Sequence, residues 1–280
     1  MRAVRIASAV VAATVLFGTA TACGSSKSND QKTASVGDAA SAAAPAAAKP
    51  DGDPKAVLTA SALVMQKAAN GKVEVDESGD PDPSTGDAHW NNPSKPAVDL
   101  TNKTDGKPFH LRVVGPDAYL GTEALGAKAP SGKAWVRMPA TSALGGGLQV
   151  AALMVNPVVQ LTVAAQSGKL TKLDQEDVGG AKATHIRATE DSSVLIAGMT
   201  GLSAEQRAAV QRVIELEGKT LTVDFWINDR MELVKLQEHG DAKGSQDPTT
   251  VKYSGLGKAA PVEAPAAKDV GDGDLSKLLG

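Results

Sequence analysis

The chain has 280 residues, a formal charge of −3, a single cysteine and only 3% aromatic side chains. A mildly acidic surface disfavours nucleic acid, and anionic membranes held by charge alone, as partners; a lone cysteine excludes an intrachain disulfide. The fold must rest on an apolar core, and the length suffices for one domain of ordinary size.

Arg2 and Arg5 open the chain, an apolar run follows from Ala7 to Phe17, and Ala20-Thr21-Ala22 precede Cys23. The run is too short to cross about 30 Å of hydrocarbon as a lasting helix, so residues 1–22 read as a secretory signal. The segment resembles the lipobox of bacterial lipoproteins, with Ala20 where leucine is usual. That resemblance implies a lipidated Cys23 as the mature N-terminus, anchoring the exported chain to the outer face of the cytoplasmic membrane. Residues 23–53 hold Ser, Lys, Asp, Ala and Pro with Val36 the only large apolar side chain, which predicts a disordered tether reaching roughly 30 Å.

A folded unit over residues 54–265 comes next. Asp53 can cap and Pro54 can open a helix to Ala69, with Asn70-Gly71 as its left-handed stop and Val57, Leu58, Val64, Met65 and Ala68 as its apolar face. Strands then alternate with period two. Val73 and Val75 oppose Glu74 and Asp76; Val98 and Leu100 oppose Asp99 and Thr101; Phe109, Leu111 and Val113 oppose His110 and Arg112. Val136 and Met138 oppose Trp135 and Arg137; Ile186 and Ala188 oppose His185 and Arg187; Leu221, Val223, Phe225 and Ile227 oppose Thr222, Asp224 and Trp226. One dry and one wet face on strand after strand predicts an antiparallel sheet covered on one side. Turns are expected at Asn102–Gly106, Gly115-Pro116-Asp117, Gly179-Gly180 and Asn228-Asp229-Arg230. Asn156-Pro157 opens a second helix through Val158, Leu161 and Ala165 to Gly168, and Ser203-Ala204-Glu205-Gln206 opens a third that includes Val213 and ends at Gly218. Residues 266–280 read as a flexible tail.

The stretch from Asn156 to Gln237 carries a family resemblance. Gly180, Thr184 and His185 fit a glycine-threonine-histidine step with altered spacing, and Val223-Asp224-Phe225-Trp226-Ile227-Asn228 fits a valine-aspartate-tryptophan strand. Ala260-Pro261-Val262-Glu263-Ala264-Pro265 supplies a hydrophilic closing strand. In these features residues 55–265 resemble LolA-like bacterial lipoproteins, in the actinobacterial branch of LppX and LprG type. The resemblance implies an α+β fold: a large curved antiparallel sheet, a half-barrel, whose concave face about three helices cover around an apolar cavity. Cavity candidates are then Phe109, Leu111, Val113, Val136, Met138, Leu161, Ile186, Val213, Leu221, Val223, Phe225 and Ile227. Such a pocket favours acyl chains by about 0.8 kcal/mol per buried methylene.

Catalytic and metal chemistry find no foothold. His89, His110, His185 and His239 are scattered, and His110 and His185 fall on the wet face, which reads as solvated surface histidine. Gly126–Ala134 lacks the spacing of a phosphate loop and reads as a turn, and Asn102-Lys103-Thr104 reads as a polar turn. Trp135 and Trp226 on the wet face fit either cover by a loop or tail, or an indole docking a partner or membrane interface. The apolar run from Leu144 to Val163, with Gly145-Gly146-Gly147 inside it, fits either a hinged lid or plain core. Two functions follow: a monomeric, non-enzymatic, cofactor-free carrier of a lipid or acyl chain, or an envelope-protein interaction module of the same fold without a cavity.

Overall fold

The computed structural model describes residues 49–77, 82–92, 95–104, 106–123, 132–140, 142–198, 218–240 and 248–272, with Ala204, Arg207, Ala208 and Gln211 in helical conformation. The signal, Cys23, most of the tether, Val213, most of the Ser203–Gly218 helix, the Gly126–Ser131 stretch and residues 273–280 lie outside the described residues.

The fold is α+β: one open, mostly antiparallel sheet of 12 strands forming a half-barrel, with four helices among the described residues. The strands are β1 (Asn70–Glu77), β2 (Ser84–His89), β3 (Ala97–Thr104), β4 (Lys107–Val114), β5 (Asp117–Gly121), β6 (Trp135–Pro139), β7 (Lys169–Val178), β8 (Ala181–Asp191), β9 (Thr220–Asn228), β10 (Leu233–His239), β11 (Thr249–Ser254) and β12 (Val270–Asp272). Their order is β12-β6-β5-β4-β3-β2-β1-β11-β10-β9-β8-β7, so two meanders meet where β1 pairs with β11. The helices are α1 (Pro54–Ala68), α2 (Ala143–Met154), α3 (Pro157–Ser167) and α4 (Ser192–Gly198).

Local signals set several element ends. Asp53 accepts a hydrogen bond from Ala56 N at 3.0 Å and caps α1. Asn156 Oδ1 accepts from Val158 N and Val159 N and caps α3, with Pro157 at its first position. Gly179 and Gly180 both have positive φ, the conformation that a two-residue hairpin between β7 and β8 requires.

Four expectations change. The left-handed stop of α1 is Ala69, at φ 65°, while Asn70-Gly71 already belongs to β1. Gly71 is needed there because Trp90 lies against it: a Cβ would sit 2.8 Å from the indole. Asn102–Thr104 continues β3, and the turn falls at Gly106. Ala260–Pro265 makes no ladder; it is an extended strap whose carbonyls at Ala260 and Glu263 bond His89 and Arg112 on the outer face. The expected loose tail begins with a 3-10 turn, Ala267–Asp269, and then β12, which pairs in parallel with β6.

Candidate functional site

The sheet's concave face and the helices enclose one apolar layer. Leu111, Val113, Val136, Met138, Leu161, Ile186, Val223, Phe225 and Ile227 lie in its main cluster, and Phe109, half-buried, packs against it. Leu221 belongs to a second cluster with Val150, Leu153, Val163 and Ile196. Thus the described cavity candidates converge, though in two adjoining groups. Leu161, Ile186 and Phe225 are wholly enclosed, at 0% exposure.

The run from Leu144 to Val163 holds its three glycines inside a helix. It forms α2 and α3, bent 72° to each other, and no residue from Ala143 to Ser167 is charged. Ser142 caps α2 by accepting from Gly145 N at 3.1 Å. A Cβ on Gly145 would meet Pro139 O at 2.2 Å, so glycine there permits the helix to cross directly over the end of β6. No single helix among the described residues is long and apolar enough to cross a membrane. An amphipathic stripe would suffice to cover a sheet; α2 instead contributes Leu148 and Ala152 to the main cluster and Val150 and Leu153 to the second.

Two aromatic clasps hold the helices to the sheet. Trp90 Nε1 donates to Met65 O of α1 at 2.6 Å, and Tyr253 Oη donates to Val155 O at the α2–α3 elbow at 3.0 Å. The two rings meet edge to face with centroids 6.2 Å apart. Burial, followed by the charge of Glu238, pushes the Tyr253 hydroxyl well above its ordinary range, so it stays a donor. Neither clasp was foreseen, because each joins residues remote in sequence.

Four side chains in the interior keep unsatisfied polar atoms: Ser61 Oγ on α1, both amide atoms of Gln149 on α2, and Thr184 Oγ1 and Glu190 Oε2 on the concave face of β8. Each such atom costs about 1–3 kcal/mol when nothing pairs with it. Burial pushes the Glu190 carboxyl up to about 7.

The convex face corrects the reading of His185 as a solvated side chain. It is buried, with Nδ1 2.9 Å from Glu176 Oε1, Nε2 3.1 Å from Asp224 Oδ1, and its ring stacked on Trp226 at 4.1 Å. Arg187 donates through Nε and Nη2 to the two Asp224 oxygens at 2.8 and 2.7 Å. Trp226 Nε1 donates to Glu176 Oε2, and Lys235 Nζ lies 3.9 Å over the indole. Burial by itself would raise the Asp224 carboxyl, but hydrogen bonds and charge from Arg187 and His185 outweigh it and hold the group well below the usual range. The strand β9 is therefore buried on both faces. His110 is half-buried and pairs with Asp99, which also accepts from Arg112 Nε at 3.0 Å. Among the described residues no group of His, Cys, Asp and Glu has the arrangement of a metal site.

No family model matches the chain. An uncharacterised 31.2 kDa protein of Streptomyces griseus, from the rplA-rplJ intergenic region, is 42% identical over 107 residues. The match takes in 38% of this chain and 35% of that protein's length. Among solved structures the chain is similar to the mycobacterial proteins LprF and LppX. LprF from Mycobacterium bovis superposes with a TM-score of 0.46 and 14% identity over 79% of this chain and 100% of its own. The Mycobacterium tuberculosis lipoprotein LppX gives a TM-score of 0.46 and 17% identity over 74% of this chain and 98% of its own. The half-barrel assignment itself stands on this chain's own sheet order and helix placement.

Proposed function

We propose that this chain is an exported lipoprotein, tethered through an acylated Cys23, that holds a lipid or acyl chain between the concave face of its sheet and its helices and carries it within the cell envelope. The observation that carries this reading is the uncharged α2–α3 pair, which adds apolar side chains to both clusters alongside concave side chains of β4, β5, β6, β8 and β9. Parting such helices from such a sheet exposes two dry surfaces, and an acyl chain between them is favoured by about 0.8 kcal/mol per methylene. Because the lining is enclosed, entry requires the helices to move, and the Trp90 and Tyr253 clasps are the contacts that would yield or pivot. The work is binding and transfer rather than catalysis.

A titration of the non-acylated protein with a polarity-sensitive fluorescent acyl probe tests the reading. It predicts saturable binding near one probe per chain, weakened by Ala188→Phe, which puts bulk into the layer at a fully buried concave position. Weak, unsaturable binding would sink it. The second reading, an interaction module that meets an envelope protein and holds no lipid, is favoured by the wholly enclosed side chains Leu161, Ile186 and Phe225.

A further inference from the structure

The two edges of the sheet end differently. Strand β6 is covered by β12, in parallel, and β12 is itself only three residues long. At the other edge stands β7, ten residues long and without one buried residue. Among the described residues no strand pairs with its outer side. Its charges are sorted along the strand: Lys169 and Lys172 lie in the first half, Asp174, Glu176 and Asp177 in the second. The register to β8 fixes their faces. Lys172 pairs with Ile186 and Asp177 with Lys182, on the concave face, while Lys169 pairs with Thr189 and Glu176 with Ala183, on the convex face. A bulge between Lys172 and Gln175 keeps both of these concave. Charges and bulges ordinarily guard an edge against indiscriminate pairing. Here their order admits one partner, the same strand running the opposite way.

We propose that two copies of this chain pair edge to edge through β7, antiparallel about a two-fold axis between Leu173 and Asp174, joining their sheets into one. This goes beyond the lipid-binding reading and does not depend on it. The register sets Lys172 opposite Gln175, Thr171 opposite Glu176, Leu170 opposite Asp177 and Lys169 opposite Val178, each pair on one face. Diagonal neighbours then complement each other. Lys172 meets Asp177 on the concave face and Lys169 meets Glu176 on the convex face, each twice by symmetry. A parallel copy in register would set like charge against like. The two bulges fall on the axis and face each other, so the new ladder stays in step on both sides. Contacts within the chain leave these side chains at the edge: Lys172 donates to Asp51 O, Asp177 accepts from Gly180 N, and Glu176, bonded to His185 and Trp226, stays 48% exposed. The axis stands perpendicular to the sheet, so both concave faces, and both tether roots at Asp51, lie on one side.

Analytical ultracentrifugation of the non-acylated full chain, made with Cys23→Ser, tests this by charge exchange. The native edge should show a concentration-dependent monomer–dimer equilibrium, weakened severalfold between about 50 mM and about 500 mM salt. Lys172→Glu sets acid against acid across the axis, and Asp177→Lys sets lysine against lysine. Each alone should weaken dimerisation about tenfold or more. Mixed in equal amounts, the two variants should form a heterodimer about as tight as the original, because the mixture restores both ion pairs. Hydrogen exchange needs no substitution: amides of residues 169–178 should slow when the chain is concentrated into the dimer range. A chain that stays monomeric to about 1 mM overturns the proposal. So does a dimer that leaves exchange in β7 unchanged, or one that the folded single variants form as tightly as the original. Lipid binding stands under each of these results.

Discussion

The outer face of the sheet carries one set of side chains twice, in different surroundings. On β3, β4 and β6, Asp99 meets His110 and Arg112, and Arg112 lies 4.9 Å over Trp135. On β8 and β9, Asp224 meets His185 and Arg187, and His185 stacks on Trp226. In both, a His-x-Arg strand faces an aspartate on its neighbour, and arginine and aspartate are register partners. The first cluster stays half-exposed beside the C-terminal strap, to which Arg112 also donates. In the second, the Asp224 side chain retains 2% exposure. The same chemistry thus makes a surface clasp in one half and a buried polar core in the other. The difference teaches that burial, not residue identity, decides what an ion pair is worth. It also makes β9 a middle layer, held from outside as well as inside. In the lipid-binding reading this is the platform that keeps its shape while the helices part.

The largest expected effect comes from breaking the buried cluster. Asp224→Ala leaves the Arg187 guanidinium and the buried His185 without that carboxylate and should cost about 3–5 kcal/mol in denaturant unfolding. Asp224 lies opposite the apolar face, yet the register is as expected, because Phe225 remains concave and fully buried. A smaller effect concerns pH. Glu190 titrates near 4.5 when unfolded and at about 7 when folded, so its contribution is complete below the unfolded value and is lost as pH rises through the folded one. Between about pH 5 and 8 stability should fall by up to about 3 kcal/mol, and Glu190→Gln should flatten that slope in melts across the range. Asp224 works in the opposite sense: its lowered folded value supplies stability that disappears only as pH falls below the ordinary carboxylate range. The smallest effect belongs to the half-exposed cluster, where Asp99→Ala should cost about 1 kcal/mol. Equal losses for Asp99→Ala and Asp224→Ala in matched unfolding curves would erase the distinction between the halves.

What was legible in the chain was local. Period-two alternation gave β1, β3, β4, β6, β8 and β9 because each buries apolar side chains on one face. Asp53-Pro54 and Asn156-Pro157 announced α1 and α3 because a cap needs only neighbouring residues. The edge strand β7 and the short β2 carry too few apolar residues to show a dry face. Helix α2 was hidden by three glycines, which disfavour helix locally, yet Gly145 is what lets it cross β6 so closely. The Asp224 network was hidden by distance along the chain: Arg187 and Asp224 are 37 residues apart, and Glu176 and Trp226 are 50. The apolar lining of the layer was legible residue by residue, whereas its division into two clusters and its orphaned polar atoms depend on how the helices sit.

That the layer between sheet and helices opens to hold a lipid is tested most directly by extracting the purified, non-acylated protein and identifying what it carries by mass spectrometry. A copurifying lipid at close to one molecule per chain, lost from the Ala188→Phe variant while the fold persists, is the result expected. A folded protein free of lipid, and still free after incubation with envelope lipid extract, would contradict lipid binding and leave the interaction module as the function of this half-barrel.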